Sequence, residues 1–385
     1  MRILEVSTYP PQICGLATYT RDLAGAMSQL DDVDVAVLSE MGAEDGHDGT
    51  VLSIPTFHRK TDWITDIAEA ATAQNADVVH LQHAPDIFGM DSRLPALGAE
   101  LRRRGILSFV TLHTVYTPFT GFIERKPRVR RFHRTLAKSV DGIIVHQKTK
   151  KADELARQGV APGQICVIPH GTGRLELPDR TECRRFFGLP EQGPVLLYFG
   201  FIHVQKNLHT ILAALPLIRR QLPDVTLLVA GKIQNSTWYN RAYLSISKAL
   251  VSALGLKNHV VFHEEYIADE RVACLYAASD LVLLPYNQGY GSASGMLHNA
   301  FAAGSPPLCS MSPKFAEVAE SLSPDLQIPT HNPRAWARQV LALLEDRTRF
   351  ESLKESVQKR AEATSWPVVA QQHVEFFRSM TGRKD

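Results

Sequence analysis

Short runs of hydrophobic residues alternate with longer amphipathic stretches along most of the chain. The short runs predict buried strands, and the stretches with an apolar residue at every third or fourth position predict helices. In the first half, the predicted strands are Arg2–Val6, Val33–Leu38, Val78–Leu81, Leu107–Leu112 and Gly142–Val145, and the helices are Ala17–Leu30, Ile64–Gln74 and Leu94–Arg104. This alternation favours parallel sheets that are covered by helices on both faces.

The pattern is interrupted at Pro169–Pro178, where Gly and Pro replace the apolar residues, and it then restarts. In the second half, the predicted strands are Val195–Phe199, Val225–Ala230, Val260–His263 and Leu281–Pro285, and the helices are Leu208–Gln221, Tyr239–Leu254 and Arg271–Ala278. A last amphipathic helix, Trp366–Ser379, carries Pro367 in its first turn, where proline is well tolerated.

We therefore predict an α/β protein of two doubly wound, Rossmann-like domains that face each other across a cleft. The expected N-terminal domain is residues 1–172, completed by the C-terminal helix 366–385, and the second domain is residues 173–365. A linker is expected near residues 171–185.

Composition narrows the class of protein. The chain has 385 residues, of which 44% are hydrophobic and 21% are charged, and its formal net charge is +2. This charge is too small to indicate a nucleic-acid partner, and no apolar run reaches the roughly 20 residues of a membrane span. The N-terminus lacks the features of a signal peptide, so we expect a cytoplasmic protein. The cysteines have no metal-binding or redox spacing, and we interpret all five as reduced thiols: Cys14, Cys166, Cys183, Cys274 and Cys309.

The strongest chemical signal follows the predicted strand Leu281–Pro285. The stretch Asn287–Leu297 is rich in Gly and Ser and leads into a helix, so it can present successive N–H groups to a phosphate. Lys206 stands just before an apolar helix, where the helix dipole disfavours a cation unless an anion is bound beside it. The alternative for Lys206 is a solvated surface lysine. We predict a diphosphate site that combines Lys206 with Ser294, Gly295, Met296 and Leu297.

The first half carries further candidates at the ends of its strands. His113 follows Leu107–Leu112 and can hydrogen-bond a hydroxyl or carry a proton, although a lone histidine is more often structural. The remaining candidates are Tyr9, His83 and Asp86 for the acceptor, and Gly15 and Tyr266 for the donor, with a plain turn as the alternative for the loop around Tyr266.

These residues resemble motifs of the family 4 retaining glycosyltransferases of GT-B fold, and the resemblance covers nearly the whole chain. The segment Ser294–Pro306 resembles the donor segment of that family, and Gly200–Lys206 its diphosphate-contacting lysine region. Matches in the first half and at the C-terminus are Tyr9–Gly15, Val110–Val115, Val167–Gly171 and Trp366. By the same register, Gly291 and Asn299 stand where the family often has glutamates, and Phe201 where it often has a basic residue.

The resemblance implies transfer of a sugar from a nucleoside diphosphate with retention, without a metal or a tightly bound cofactor. Lys206 and the amides of Ser294–Leu297 would stabilise the leaving diphosphate, His113 would orient the sugar, and Asn299 would meet the ribose. The expected partners are a nucleotide sugar, with UDP or GDP among the carriers, and a polar small-molecule or glycan acceptor. The basic stretch Thr117–Arg134 is a solvated helix, an acceptor contact or a membrane-surface contact.

Two other functions remain open from the sequence. An epimerase acting on nucleotide sugars would keep the fold, and a pseudo-glycosyltransferase that binds a nucleotide or a protein would explain Gly291 and Asn299.

Overall fold

The computed structural model of the protein describes residues 1–115, 126–233, 237–287 and 294–381. The described residues fall into two compact units. The first unit comprises those of Met1–Gly171 and Thr364–Asp385, and the second comprises those of Thr172–Tyr290 and Ser294–Ala363. Each unit buries its own hydrophobic core.

Strands and helices alternate in the first unit. Its strands are β1 (Arg2–Ser7), β2 (Asp34–Glu40), β3 (Gly46–Asp48), β4 (Val51–Phe57), β5 (Val78–His83), β6 (Leu107–Leu112), β7 (Gly142–Val145) and β8 (Ile165–Val167). Its helices are α1 (Gly15–Met27), α2 (Ile64–Ala73), α3 (Pro85–Phe88), α4 (Arg93–Arg103), α5 (Lys126–Ser139) and α6 (Asp153–Arg157), together with the C-terminal helix α15 (Trp366–Thr381).

The strands of the first unit form one sheet in the order β3-β4-β2-β1-β5-β6-β7-β8. All neighbouring strands are parallel except β3, which pairs antiparallel with β4. Strands β1, β5 and β6 are almost wholly buried because helices cover both faces of the sheet. The order reverses between β1 and β5, and ligands in sheets of this kind bind beyond the carboxyl ends at such a point.

The second unit repeats this architecture. Its strands are β9 (Val195–Phe199), β10 (Thr226–Ala230), β11 (Val260–His263), β12 (Leu281–Leu284), β13 (Pro307–Ser310) and β14 (Gln327–Ile328). Its helices are α7 (Arg180–Phe186), α8 (Leu208–Arg219), α9 (Trp238–Ala253), α10 (Asp269–Ala278), α11 (Gly295–Ala302), α12 (Ala316–Ser321), α13 (Pro333–Glu345) and α14 (Arg347–Ala363).

The sheet of the second unit is parallel, with the order β11-β10-β9-β12-β13-β14. This is the Rossmann order, and it reverses between β9 and β12. The prediction of two doubly wound, Rossmann-like units is therefore confirmed, and β6, β7, β9 and β11 have the predicted bounds.

Two expectations were wrong. The linker is shorter than residues 171–185, because α7 begins at Arg180 and packs on α10, with Cys183 in the core of the second unit. Cys183 is also not a free thiol, since it forms a disulfide with Cys274 of α10. Spacing along the chain could not indicate this pair, because 91 positions separate the two residues and only the packing of α7 on α10 brings them together.

Candidate functional site

The turn after β9 is fixed to the end of β12 and to the start of α8. Lys206 ends a short 3₁₀ turn, Val204–Lys206, and the N–H of Asn287 donates to the carbonyl of Gln205 over 2.8 Å. The next residue, Asn207, is buried in the left-handed conformation with φ of 54°. Its side-chain amide donates to the Thr330 carbonyl over 3.1 Å, which holds the turn in place.

Lys206 lies at the switch point of the sheet with its ammonium group inside the protein. Its Nζ atom is 4.9 Å from the centre of the Tyr286 ring, and it makes no ion pair with the described residues. Gly200, whose φ is 111°, leaves room for it, because a Cβ atom there would overlap Nζ and approach the Met296 sulfur to 3.3 Å. Burial lowers the pKa of Lys206 to about 7. An anion bound at this point would supply the counter-charge that folding has not provided.

The start of α11 lies beside Lys206. Ser294 is the buried N-cap residue, and its carbonyl accepts a hydrogen bond from the Leu297 N–H over 3.0 Å. The first-turn N–H groups of Gly295 and Met296 have no acceptor within the helix. The structure thus brings together Lys206 and Met296, while the Leu297 amide, expected to bind phosphate, is used within the turn.

The rest of the predicted donor segment is partly described. Asn299 is half-buried on α11, and its side chain makes no hydrogen bond to the described residues. Gly291 lies outside the described residues. Tyr266 follows β11 and is exposed, at 46% of its surface.

Lys314 and Tyr286 were missed by the sequence interpretation. Both follow strands of the second unit, and the Lys314 Nζ atom is 5.5 Å from the same Tyr286 ring. A Pro-Lys pair after a short strand has the pattern of a surface turn, so no local signal indicated that Lys314 would be buried.

A chain of polar side chains crosses the sheet of the first unit. Gln82 donates to the Glu5 carboxylate over 2.8 Å, and its oxygen is 2.8 Å from His113 Nε2. The Nδ1 atom of His113 lies 3.2 Å from Nε2 of His146. His146 in turn donates Nδ1–H to the Ile168 carbonyl over 3.1 Å.

His113 is held as a neutral, oriented ring. Burial, and then the charges of His170 and Lys151, keep its pKa well below the usual value. The ring also stands edge-on to Tyr19, with ring centres 4.6 Å apart. Both ring nitrogens face protein groups, so a sugar hydroxyl would bind His113 by replacing one of these contacts, and the neutral ring is a poor base at neutral pH.

The other candidates of the first unit lie at the carboxyl ends of β1 and β5. Tyr9 is buried, and its hydroxyl donates to Asp48 over 3.3 Å. Gly15 begins α1 with open space where a Cβ would stand. His83 is buried and donates Nε2–H to the Gly89 carbonyl over 2.7 Å, and burial lowers its pKa to about 4. Asp86 is exposed in the first turn of α3.

Metal and membrane signatures are absent from the described ranges. No group of three or more His, Cys, Asp or Glu side chains in them is placed to hold a metal ion. Likewise, none of the helices in the described part of the chain is long and apolar enough to cross a membrane.

Two family profiles match successive parts of the chain. Residues 14–171 match the profile described as glycosyl transferase 4-like domain, and residues 179–363 match that of glycosyl transferases group 1. Two doubly wound sheets in one chain are the architecture of the GT-B class of proteins. Within this class, the chain belongs to the family 4 glycosyltransferases.

Relatives and solved structures agree with this assignment. The D-inositol 3-phosphate glycosyltransferase of Salinispora tropica is 28% identical over 256 residues, which is 63% of this chain and 52% of the relative. The Rhodococcus opacus enzyme of the same name is 28% identical over 244 residues, 62% of this chain and 53% of the relative. The matched region thus spans about half the length of these relatives.

Among solved structures, sucrose-phosphate synthase of Thermosynechococcus elongatus has a TM-score of 0.77 at 19% identity, with both chains fully covered. Anabaena HepE, solved in complex with UDP, has a TM-score of 0.76 at 16% identity, covering 98% of this chain and 100% of HepE. At these identities the likeness establishes the GT-B fold.

Proposed function

We propose that this protein transfers a sugar from a nucleoside diphosphate sugar to a hydroxyl group of a polar acceptor, with retention and without a metal ion. The observation that carries the proposal is the Lys206 ammonium, buried at the switch point beside the first turn of α11 and without a carboxylate partner among the described residues. A leaving diphosphate supplies the missing negative charge, and its charge grows in the transition state.

The proposed roles follow from the geometry. Lys206 and the N–H groups of Gly295 and Met296 hold the diphosphate, and a phosphate oxygen of the donor accepts the proton of the acceptor hydroxyl. Neutral His113 orients the transferred sugar. Asn299 binds the ribose through its half-buried amide. No step in this scheme calls for a metal or another cofactor.

The compounds after which the similar proteins are named suggest the chemical class of the acceptor. D-inositol 3-phosphate glycosyltransferases and sucrose-phosphate synthase are named for phosphorylated, hydroxyl-rich compounds. We propose an acceptor of this kind, or a glycan, bound by the first unit near Tyr9, His83 and Asp86. UDP is the first nucleotide to test, because HepE was solved with UDP and with UDP-glucose.

The test is release of nucleoside diphosphate from a panel of UDP-, GDP- and TDP-sugars, with and without inositol phosphates and sugar phosphates. We expect acceptor-dependent release that persists in EDTA, and NMR of the product should show the anomeric configuration of the donor. Release by Lys206→Ala should fall at least about 100-fold, as expected for the loss of a buried charge contact in the transition state. Full turnover by Lys206→Ala would refute the proposed role of this residue.

A second candidate is a protein that binds nucleotide without transferring sugar. Asn299 favours it, because the family resemblance implies a glutamate at this position and this chain has a neutral amide there. Calorimetry and the release assay together separate the two candidates. A protein that only binds nucleotide would bind a nucleotide sugar in calorimetry but would release no diphosphate with any acceptor.

Location is also proposed rather than observed. We propose a cytoplasmic protein whose helix α5 contacts an anionic membrane surface, and vesicle sedimentation tests this contact. The Cys183–Cys274 disulfide is more typical of oxidising compartments, so cell fractionation is the decisive measurement.

A further inference from the structure

Lys314 is buried in the second unit although lysine is rarely buried without a reason. It lies in the 3₁₀ turn Pro313–Phe315 that follows β13, and only 6% of its surface is exposed. Ser312 caps this turn by accepting the Lys314 N–H over 3.4 Å. The ammonium group is therefore held at the same carboxyl edge of the sheet as Lys206.

Both lysines contact one aromatic ring. The Nζ atoms of Lys206 and Lys314 are 4.9 Å and 5.5 Å from the centre of the Tyr286 ring. The hydroxyl of Ser310, at the end of β13, donates to the Tyr286 carbonyl and ties the two strand ends together. The two ammonium groups thus share one aromatic neighbour at the carboxyl edge of the sheet.

The Tyr286 hydroxyl is a second, independent sign of a ligand. Tyr286 is 4% exposed, and its hydroxyl makes no well-formed hydrogen bond with the described residues, although the side chain of Ser294, the N-cap of α11, is beside it. A buried hydroxyl without a well-formed hydrogen bond costs free energy, which a bound phosphate oxygen would recover.

The electrostatics around His203 agree with this placement. Burial and the charges of Lys206 and Lys314 together lower the pKa of His203 to about 4. The charges of both lysines therefore act on His203, which is itself neutral, and the two ammonium groups form one positive region beyond β9, β12 and β13.

We propose that Lys314 is the second cation of the anion site, so that Lys206 and Lys314 each hold one phosphate of a diphosphate. The inference rests on the proposed function, because it assigns a further residue to the same donor site. The inference predicts that Lys314 lets the site distinguish a diphosphate from a monophosphate. The Tyr286 hydroxyl would donate a hydrogen bond to the diphosphate that the two lysines hold.

The test uses the full chain and a probe that does not depend on the nucleobase. Binding of inorganic pyrophosphate and of inorganic phosphate is measured by calorimetry, followed by UDP, UMP and uridine. Lys314→Gln should weaken pyrophosphate and UDP about 10- to 100-fold, the loss expected for one charge-assisted hydrogen bond. It should change phosphate, UMP and uridine much less. Lys314→Arg should retain most of the affinity.

Lys359→Gln is the matched control, because Lys359 is exposed on α14. The ratio of pyrophosphate to phosphate affinity is the decisive quantity, since it is independent of the fraction of a variant that is folded. An unchanged ratio in Lys314→Gln, together with a loss in Lys206→Ala, would overturn this inference and leave the proposed function standing. If the unaltered protein bound neither pyrophosphate nor any nucleotide, both would fail.

Discussion

At the scale of single residues, folding removes the Lys206 ammonium group from water, and the group forms no ion pair with a carboxylate of the described residues. Burial lowers its pKa to about 7, whereas a bound diphosphate would favour the charged form and raise the pKa again. Between pH 8 and 9 the free protein therefore carries mostly neutral Lys206, and binding of a diphosphate must take up a proton. We expect affinity for UDP to fall as the pH rises above 7.

Calorimetry in buffers of different ionisation enthalpy measures this proton uptake. The range from pH 8 to 9 avoids the second ionisation of the phosphate, which lies near pH 6. Lys206→Met should bind more weakly and without proton uptake. A protein whose UDP affinity and proton balance do not change between pH 7 and 9 would contradict the assignment.

Glu317 illustrates a buried charge that is fully compensated. Burial alone would raise its pKa, but His298 and Arg360 outweigh this effect and lower it to about 2. Because the folded state favours the carboxylate, the stabilisation is present above about pH 4.5 and is lost as the pH falls toward 2. The shift corresponds to about 3 kcal/mol at neutral pH.

Glu317→Gln should accordingly lower the free energy of unfolding by about 2–3 kcal/mol at pH 7, and by about 1 kcal/mol at pH 3, where the folded-state carboxylate is still largely ionised. Urea denaturation at the two pH values measures this difference. Glu320→Gln, an exposed residue of the same helix, is the control and should change stability little. An equal loss at both pH values would argue against a role for the charge.

At the scale of elements, α15 is held against the first unit by its first residue. The Trp366 ring packs edge-on to Tyr19, with ring centres 5.1 Å apart, and it covers Gly171 so closely that a Cβ there would overlap the indole. Val369 and Phe377 of α15 are fully buried in the same core.

Gly171→Ala should therefore displace the indole or the backbone and cost about 1–3 kcal/mol. Gly163→Ala is the matched control, because a Cβ at Gly163 meets no atom within 4 Å. Tryptophan fluorescence during urea unfolding follows both variants. Equal stabilities of the two would show that α15 is free to move away from Gly171.

Elements with an uninterrupted apolar pattern were predictable from the sequence, and those that depend on their neighbours were not. β6 was located to the residue because Leu107–Leu112 is a continuous apolar-rich run. β4 and β13 were missed because Pro55 and Pro307 lie within them, and proline argues against a strand until the pairing is known. Tertiary contacts decide such cases.

At the scale of the whole molecule, the second unit has a core of its own. The cluster that contains Leu197, Leu283 and Trp336 draws only on residues between 175 and 361. We expect a fragment of residues 172–363 to unfold cooperatively by itself and to bind UDP with an affinity within about tenfold of the full chain. It should transfer no sugar, because His113 is missing. A fragment that fails to fold would show that the second core depends on the first unit.

The candidate site was predictable only where a local rule singled out a residue. Lys206 was predicted because a cation just before a helix is unfavourable unless an anion is bound there. Ser294 was predicted because it belongs to a Gly- and Ser-rich stretch that precedes a helix. No local rule of this kind identifies Lys314, Tyr286 or the Cys183–Cys274 pair. Lys314 and Tyr286 approach Lys206 only because the sheet order places the ends of β9, β12 and β13 side by side, and the two cysteines meet only because α7 packs on α10.

The packing of α15 in the first unit affects the order in which the protein folds during synthesis on the ribosome. Helix α15 is made after the second unit, yet Val369 and Phe377 complete a core whose strands precede that unit in the chain. During synthesis, the second unit can finish folding while the first still exposes the apolar surface around Tyr19 and Phe109. The first unit of the nascent chain therefore needs protection until α15 emerges, and chaperone occupancy should persist until residues 366–381 have left the exit tunnel.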